Sequence, residues 1–219
     1  MKNHWPILII ALVLGFLMIL PFFYFQISLG GEYKGILPQI IDDELFYLAR
    51  IKDVIDGHPT LGNAYLSEHK NQLPQQLFLP EFLLAQPLKF LNLSVVQGRI
   101  LYSFILPATV FILTYIAFYL IRPSKFWANI FAVFLFFGIF IFKFTRPIIP
   151  QFVFLFWLTQ FTLLWLLIKD RPKKWILPLN IINFGLLFYI YPFYWTFYLV
   201  FLVILVFISF FRDRLLSKQ

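Results

Sequence analysis

Three acidic side chains stand in succession at the head of the stretch Asp42-Asp43-Glu44-Leu45-Phe46-Tyr47-Leu48-Ala49-Arg50, in a chain otherwise dominated by apolar residues. A carboxylate so placed can take the proton from an attacking hydroxyl. Two cations further along, Lys143 and Arg146, have the complementary capacity. A positive group beside a departing phosphate stabilises its charge, and Arg forks onto phosphate oxygens. The chain has ten Asp and Glu, of which eight lie between Glu32 and Glu81, while Asp170 and Asp213 sit among basic residues elsewhere. Acid is therefore concentrated in one segment.

The same residues have plainer uses. Acids in a first helical turn complement its dipole, each worth about 0.3–1 kcal/mol. Three together exceed what capping requires, because like charges this close raise one another's pKa. Lys143 and Arg146 would serve equally well by snorkelling to lipid headgroups. His58 and His69 show no ligand spacing, and with no Cys in the chain there is no thiol nucleophile, disulfide or Cys-ligated metal.

The elements that must position these groups follow from composition. The 219 residues are 61% hydrophobic and 22% aromatic with only 13% charged, and mean hydropathy is +0.83. A soluble domain of this length could not hide so much apolar surface, and several runs match the thickness of a bilayer core. The expected fold is an all-α, polytopic helical membrane protein with about six spans, 5–29, 98–121, 127–142, 152–168, 175–190 and 196–211. A long first loop, 30–97, carries short amphipathic helices. The first span is read as a retained signal-anchor, bent by Pro21.

Within the loop, apolar positions 41, 45, 48, 51 and 55 have helical spacing, and Gly57 followed by Pro59 marks the helix end. Residues 62–72 look irregular. The run 77–91, interrupted by Pro80 and Pro87, is too broken to span and reads as an interfacial helix. Ser94 and Gln97 fit a capping box at the start of the second span. Asn129, Gln160, Asn180 and Asn183 lie within spans, where such side chains more often join helices than touch a ligand.

Basic residues near span ends set orientation. Ten (Lys2, Arg122, Lys125, Lys169, Arg171, Lys173, Lys174, Arg212, Arg214, Lys218) fall on one side and five (Lys34, Lys89, Arg99, Lys143, Arg146) on the other. This places the N-terminus in the cytoplasm and the chain in the inner or plasma membrane. The acidic loop, the 143–151 turn and the aromatic turn 191–195 then share the outer face. The net charge of +8 is a topology signal, not a sign of nucleic-acid binding.

An anchor helix, a loop opening Asp42-Asp43-Glu44 and closing a helix at Asp56-Gly57, then Arg146-Pro147-x-x-Pro150-Gln151 and Gly185-Leu-Leu-Phe-Tyr189-x-Tyr191-Pro192, together resemble a known group. They are similar to the N-terminal half of the bacterial GT-C class glycosyltransferases, family-39-like or oligosaccharyltransferase-like. The resemblance implies inverting transfer of a sugar from a polyprenyl-phosphate donor to an acceptor glycan, lipid or protein on the extracytoplasmic face. It implies a catalytic Asp in the first loop, Asp42 or Asp43 with Asp43 preferred. Arg146 and Lys143 would meet the donor phosphate, with Glu44, Tyr47 and Arg50 as further substrate-binding residues. Some members use a divalent cation, Mg or Mn, which Glu44 would help bind. The class has about twice as many spans, so the chain reads as a truncated half or as a protein needing a second membrane subunit.

Two rival readings stand beside this one. A non-enzymatic membrane subunit would use the acidic loop to dock a partner. A transporter fragment would place ionisable groups mid-span, where this chain has almost none.

Overall fold

The structure, a computed structural model, describes residues 4–38, 42–63, 65–74, 77–140, 151–169 and 173–216. These residues form eight α-helices and no strand: α1 (Trp5–Leu29), α2 (Asp42–Ile55), α3 (Leu79–Phe90), α4 (Val95–Ile121), α5 (Lys125–Leu135), α6 (Val153–Ile168), α7 (Ile176–Ile190) and α8 (Pro192–Leu216). A π-helical turn, Phe136–Phe140, extends α5. The all-helical expectation holds.

Three helices are long and apolar enough to cross a membrane: Trp5–Glu32, Val95–Ile121 and Pro192–Phe211. Three more apolar helices, Lys125–Gly138, Val153–Ile168 and Ile176–Ile190, are shorter. The first and last spans begin or end close to the expected bounds. The second starts three residues earlier than expected, because Ser94 caps it there. The Ser94 Oγ accepts from the Gln97 N–H while Gln97 Oε1 accepts from the Ser94 N–H, the reciprocal box that the spacing predicts. The last helix starts earlier too, at Pro192, which needs no hydrogen bond at a first helical position.

Ring and backbone contacts give the helix directions. His4 at the start of α1 hydrogen-bonds Tyr115 near the end of α4, Gly15 abuts Phe104, and Phe22 meets Arg99, so α1 and α4 are antiparallel. Phe118 stacks on Phe131 and Phe111 meets Phe136, which makes α5 antiparallel to α4. Gln160 meets Asn183 across α6 and α7. Phe188–Trp195 and Phe184–Tyr198 close the hairpin of α7 and α8 at Tyr191-Pro192. In the membrane-like layer, α4 is the centre of the packing. Its buried Val110, Phe111 and Tyr115 share a core with Ile7, Ala11 and Leu14 of α1, Ala128 and Ala132 of α5, and Phe154 and Leu158 of α6.

Gly15 sets how close α1 comes. A Cβ there would lie 2.6 Å from the Phe104 carbonyl oxygen, so the helices approach to a distance only a small residue permits. The polar side chains within spans act as expected between α6 and α7: Asn183 Nδ2 donates to Gln160 Oε1 at 2.7 Å and to the Phe156 carbonyl at 2.9 Å.

The helix α2 ends as its sequence predicts. Gly57 has φ +99°, the Gly57 N–H bonds the Val54 carbonyl and the His58 N–H bonds the Asp53 carbonyl. That is the Schellman pattern, and it favours Gly at this position. The segment 62–72, expected to be irregular, is folded back on itself by Gly62–Lys70 and Asn63–His69 backbone bonds. A bond from Lys70 Nζ to Asp53 Oδ1, 2.7 Å, fastens the loop to the helix. The expected interfacial helix is α3. A second core, Ile51, Val54, Leu61, Leu84, Ala85, Leu88, Tyr102 and Leu106, seats α2 and α3 on the first turns of α4, with Phe152 and Leu155 of the α6 start packed against it.

Replacing Gly15 by Leu is expected to destabilise the detergent-solubilised protein by about 1–3 kcal/mol, because α1 and α4 must separate. Gly185→Ala, where nothing lies within 4 Å of an added Cβ, is expected to be neutral or mildly stabilising. Thermal melts followed by circular dichroism check both, and equal effects at the two positions would contradict the close α1–α4 contact.

Candidate functional site

The acidic triplet is divided by the helix it begins. Residue 43 is exposed and residue 44 is buried, as a rotation of about 100° per residue requires. The Asp42 side chain lies outside the described residues. Glu44 turns inward and accepts two hydrogen bonds from Arg99 of α4, Nε to Oε1 and Nη2 to Oε2, each 2.7 Å. Both side chains are nearly sealed, at 5% exposure for Arg99 and 3% for Glu44. The Arg99 guanidinium also lies 4.9 Å from the Phe22 ring centroid, so one cation joins α1, α2 and α4.

A second buried pair ties α2 to α3. Arg50 Nε donates to Glu81 Oε1 at 2.9 Å and Nη2 donates to the Leu77 carbonyl at 2.9 Å. The two side chains are 2% and 1% exposed. Arg50 also sits 5.3 Å from the Phe46 ring centroid. Tyr102 of α4 donates its hydroxyl to the Leu84 carbonyl, which pins α3 from below. Lys52 and Asp56 form an exposed pair one turn apart.

Of the residues singled out in sequence, the structure brings Asp43, Phe46, Tyr47 and Arg50 onto consecutive turns of α2. Asp43 is on the surface; Tyr47 is half-buried and meets Phe46 edge-on at 5.5 Å. Glu44 and Arg50, expected to contact substrate, are enclosed by protein with their polar atoms held by Arg99, Glu81 and Leu77. In this conformation neither presents its charge to a ligand. Lys143 and Arg146 lie outside the described residues. The described chain resumes at Gln151, which is buried, and Phe152 after it packs against the core beneath α2 and α3.

The buried face of α2 also departs from the expected one. Ile51 of the expected stripe is buried and Leu48 and Ile55 pack against the same core, but Leu45 is 54% exposed while Glu44 and Val54 face inward. Only the first turn departs from the expected stripe, where Arg99 gives Glu44 a partner inside. The two ion pairs were missed in sequence, although their signal was present. Arg99 stands at the head of an apolar span and Glu81 within an apolar stretch, and a charge in such a setting must be paired.

The residues present do not fit a metal held by the triplet. Both Glu44 oxygens are taken by Arg99, and among the described residues no three His, Asp or Glu side chains converge.

Burial pushes the Glu44 carboxyl above the usual carboxylate range, against the pull of Arg99, and does the same to Glu81 against Arg50. Lys70 is pushed up as well, by its hydrogen bond to Asp53. A raised Glu pKa means that the folded chain holds this proton more tightly than the unfolded chain. Its contribution to stability is then largest at low pH and declines as pH rises through the raised value.

Removing either partner leaves the other charge buried, but only the carboxylate can neutralise itself by taking a proton. Arg99→Gln strands a buried carboxylate and is expected to cost about 3–5 kcal/mol near pH 8. Removing the attraction raises the Glu44 pKa further, so the loss should shrink at pH 5, where the acid takes a proton. Glu44→Gln strands a guanidinium that cannot lose its proton, and is expected to cost about 3–5 kcal/mol with little dependence on pH. Melting curves of the three proteins at pH 5 and pH 8 test this, and an Arg99→Gln deficit that grows on acidification would contradict it.

Comparison with protein families, curated proteins and solved structures found no match for this chain.

Proposed function

We propose that the chain is a membrane glycosyltransferase, or a part of one, that moves a sugar from a polyprenyl-phosphate donor to an acceptor hydroxyl at the extracytoplasmic face. One observation carries the reading. The acidic triplet is split so that Glu44 anchors the helix start to Arg99 while Asp43 stays on the surface. An exposed carboxylate on a rigidly seated first turn, at the bilayer edge, suits a general base.

The supporting geometry is the shared end of the helices. The end of α1, the starts of α4 and α6, and the helices α2 and α3 meet there, with Phe152 against the α2–α3 core. The segment 143–151 leads directly to Phe152, so Lys143 and Arg146 are within chain reach of that end. We take the six apolar helices, which alternate in direction, as six crossings. Basic turns at Arg122–Lys125 and 169–174 then face the cytoplasm.

In the proposed reaction the Asp43 carboxylate takes the proton of the acceptor hydroxyl as its oxygen attacks the anomeric carbon. The bond from acceptor oxygen to that carbon forms, and the bond from the carbon to the phosphate oxygen breaks with inversion. Polyprenyl phosphate leaves with the electron pair, and Arg146 with Lys143 offsets its charge. Asp42 is the alternative base. Enclosed Glu44 and Arg50 support the site from behind instead of meeting the substrate.

Asp43→Asn is expected to lower transfer from a polyprenyl-phosphate sugar about 10²–10⁴-fold, with melting behaviour close to wild type. Arg146→Gln is expected to raise the KM for the donor more than it lowers kcat. Radiolabel transfer in reconstituted membranes measures both. If Asp43→Asn and Asp42→Asn each keep full transfer, the base assignment is wrong and the partner-docking reading takes its place.

A further inference from the structure

Beside Asp43 stands a layered group that the two ion pairs do not explain. The Arg50 guanidinium, fixed by Glu81 and Leu77, lies 5.3 Å from the centroid of Phe46. Tyr65 stacks on Phe46, with ring centroids 5.7 Å apart and planes 25° from parallel. The stack thus rises from a buried ion pair to a ring that is 77% exposed. The backbone under Tyr65 is held as well. Asn63 Oδ1 accepts from the N–H groups of Tyr65 at 2.8 Å and Leu66 at 3.1 Å, and the Asn63 N–H bonds the His69 carbonyl at 3.2 Å.

We propose that Tyr65, backed by Phe46, is a stacking platform for a pyranose ring, with Asp43, one turn from Phe46 on α2, to meet a hydroxyl on the ring's edge. A pyranose has an apolar face of C–H groups and a polar rim. It therefore suits a flat aromatic surface with a carboxylate to one side, and neither group suffices alone. Positions 43 and 46 are neighbours on one helix face, about 5–6 Å apart at Cβ, which puts the carboxylate beside the ring that backs the platform. Tyr65 belongs to a loop folded over α2, and its stacking partner is fixed by the helix. Ordering such a ring costs little on binding, because its backbone and its support are already held. The class of ligand rests on the transferase reading; the platform itself rests on the stack.

The test uses the full chain in lipid nanodiscs with methyl glucopyranoside, methyl galactopyranoside and methyl mannopyranoside as probes. Saturation-transfer NMR is expected to mark ring C–H protons of at least one of them. Tyr65→Ala should weaken that binding roughly 2- to 12-fold, the size of an aromatic stacking contact. Tyr65→Phe keeps the stacking signal, and Asp43→Asn, which loses the contact at the ring's edge, weakens binding while the signal from the ring C–H face persists. No signal from any probe, or an unchanged signal in Tyr65→Ala, overturns the platform. The chain has no native cysteine, so a spin label on Tyr65→Cys reports its surroundings cleanly. Relaxation by a water-soluble agent supports the platform; relaxation by oxygen alone places the ring in lipid and overturns it. Failure of the transferase reading is distinguishable: the probes then still bind through Tyr65 while Asp43→Asn leaves transfer intact.

Discussion

The arrangement at the loop end of the molecule depends on a cation that has no water around it. Arg99 is a charge in an apolar helix, and taking such a group out of water costs several kcal/mol even after relaxation. The structure offsets that cost with two short hydrogen bonds to Glu44 and the face of Phe22. Each of these comes from a different helix, so the need to satisfy one guanidinium fixes α1, α2 and α4 relative to one another. An amphipathic helix such as α2, of fourteen residues, would be marginal alone and would slide on a bilayer surface. The pair gives it one register and one rotation, with Leu45 turned out and Glu44 turned in.

The pair Arg50–Glu81 repeats the device at the other end of the same helix, between α2 and α3. Two buried charged ties and one apolar core beneath them fasten the loop to the long apolar helices as a small platform. Apolar packing alone would hold α2 and α3 against α4, but it tolerates sliding. Paired charges do not, since a shift of one residue leaves both partners unsatisfied. Rigidity of this kind is what a positioned carboxylate requires and what a flexible docking tail does not.

Much of this was legible in the residues. The boundaries of α2 and α4 follow from Gly57 and from the Ser94–Gln97 box, because capping is local chemistry written in a few positions. The helix α3 follows from an apolar run too broken to span. The expected tie between helices at Gln160 and Asn183 follows from the cost of an amide in an apolar layer. What could not be read was which acid faces inward. Helical spacing favoured Leu45 as the buried residue, and only the position of Arg99, distant in sequence and brought close by the α1–α4 packing, reverses that choice. The same holds for Tyr65, whose meaning comes from Phe46 through a loop fold that no periodicity marks. Long-range pairing decides such sites, and local pattern is silent on it.

The placement of charge within the membrane-like layer narrows what the molecule can do. The stretches 5–29, 100–121, 126–142, 152–168, 175–190 and 191–211 contain no Asp, Glu, Lys or Arg. A protein that carries ions or charged solutes across a bilayer places ionisable groups along the way, because the path must replace water at depth. Here the polar groups buried between the described helices are amides: Asn183 donates to Gln160, while Asn129 Oδ1, Gln160 Nε2 and Asn180 Nδ2 are buried without a partner among the described residues. Among the residues whose side chains are described, the Asp and Glu groups lie at the end that holds α2 and α3, and Arg122, Lys125, Lys169, Lys173 and Lys174 at the opposite end. A surface reaction needs only one end to be equipped, and the end that holds Asp43 is the one whose backbone is fixed by buried charge.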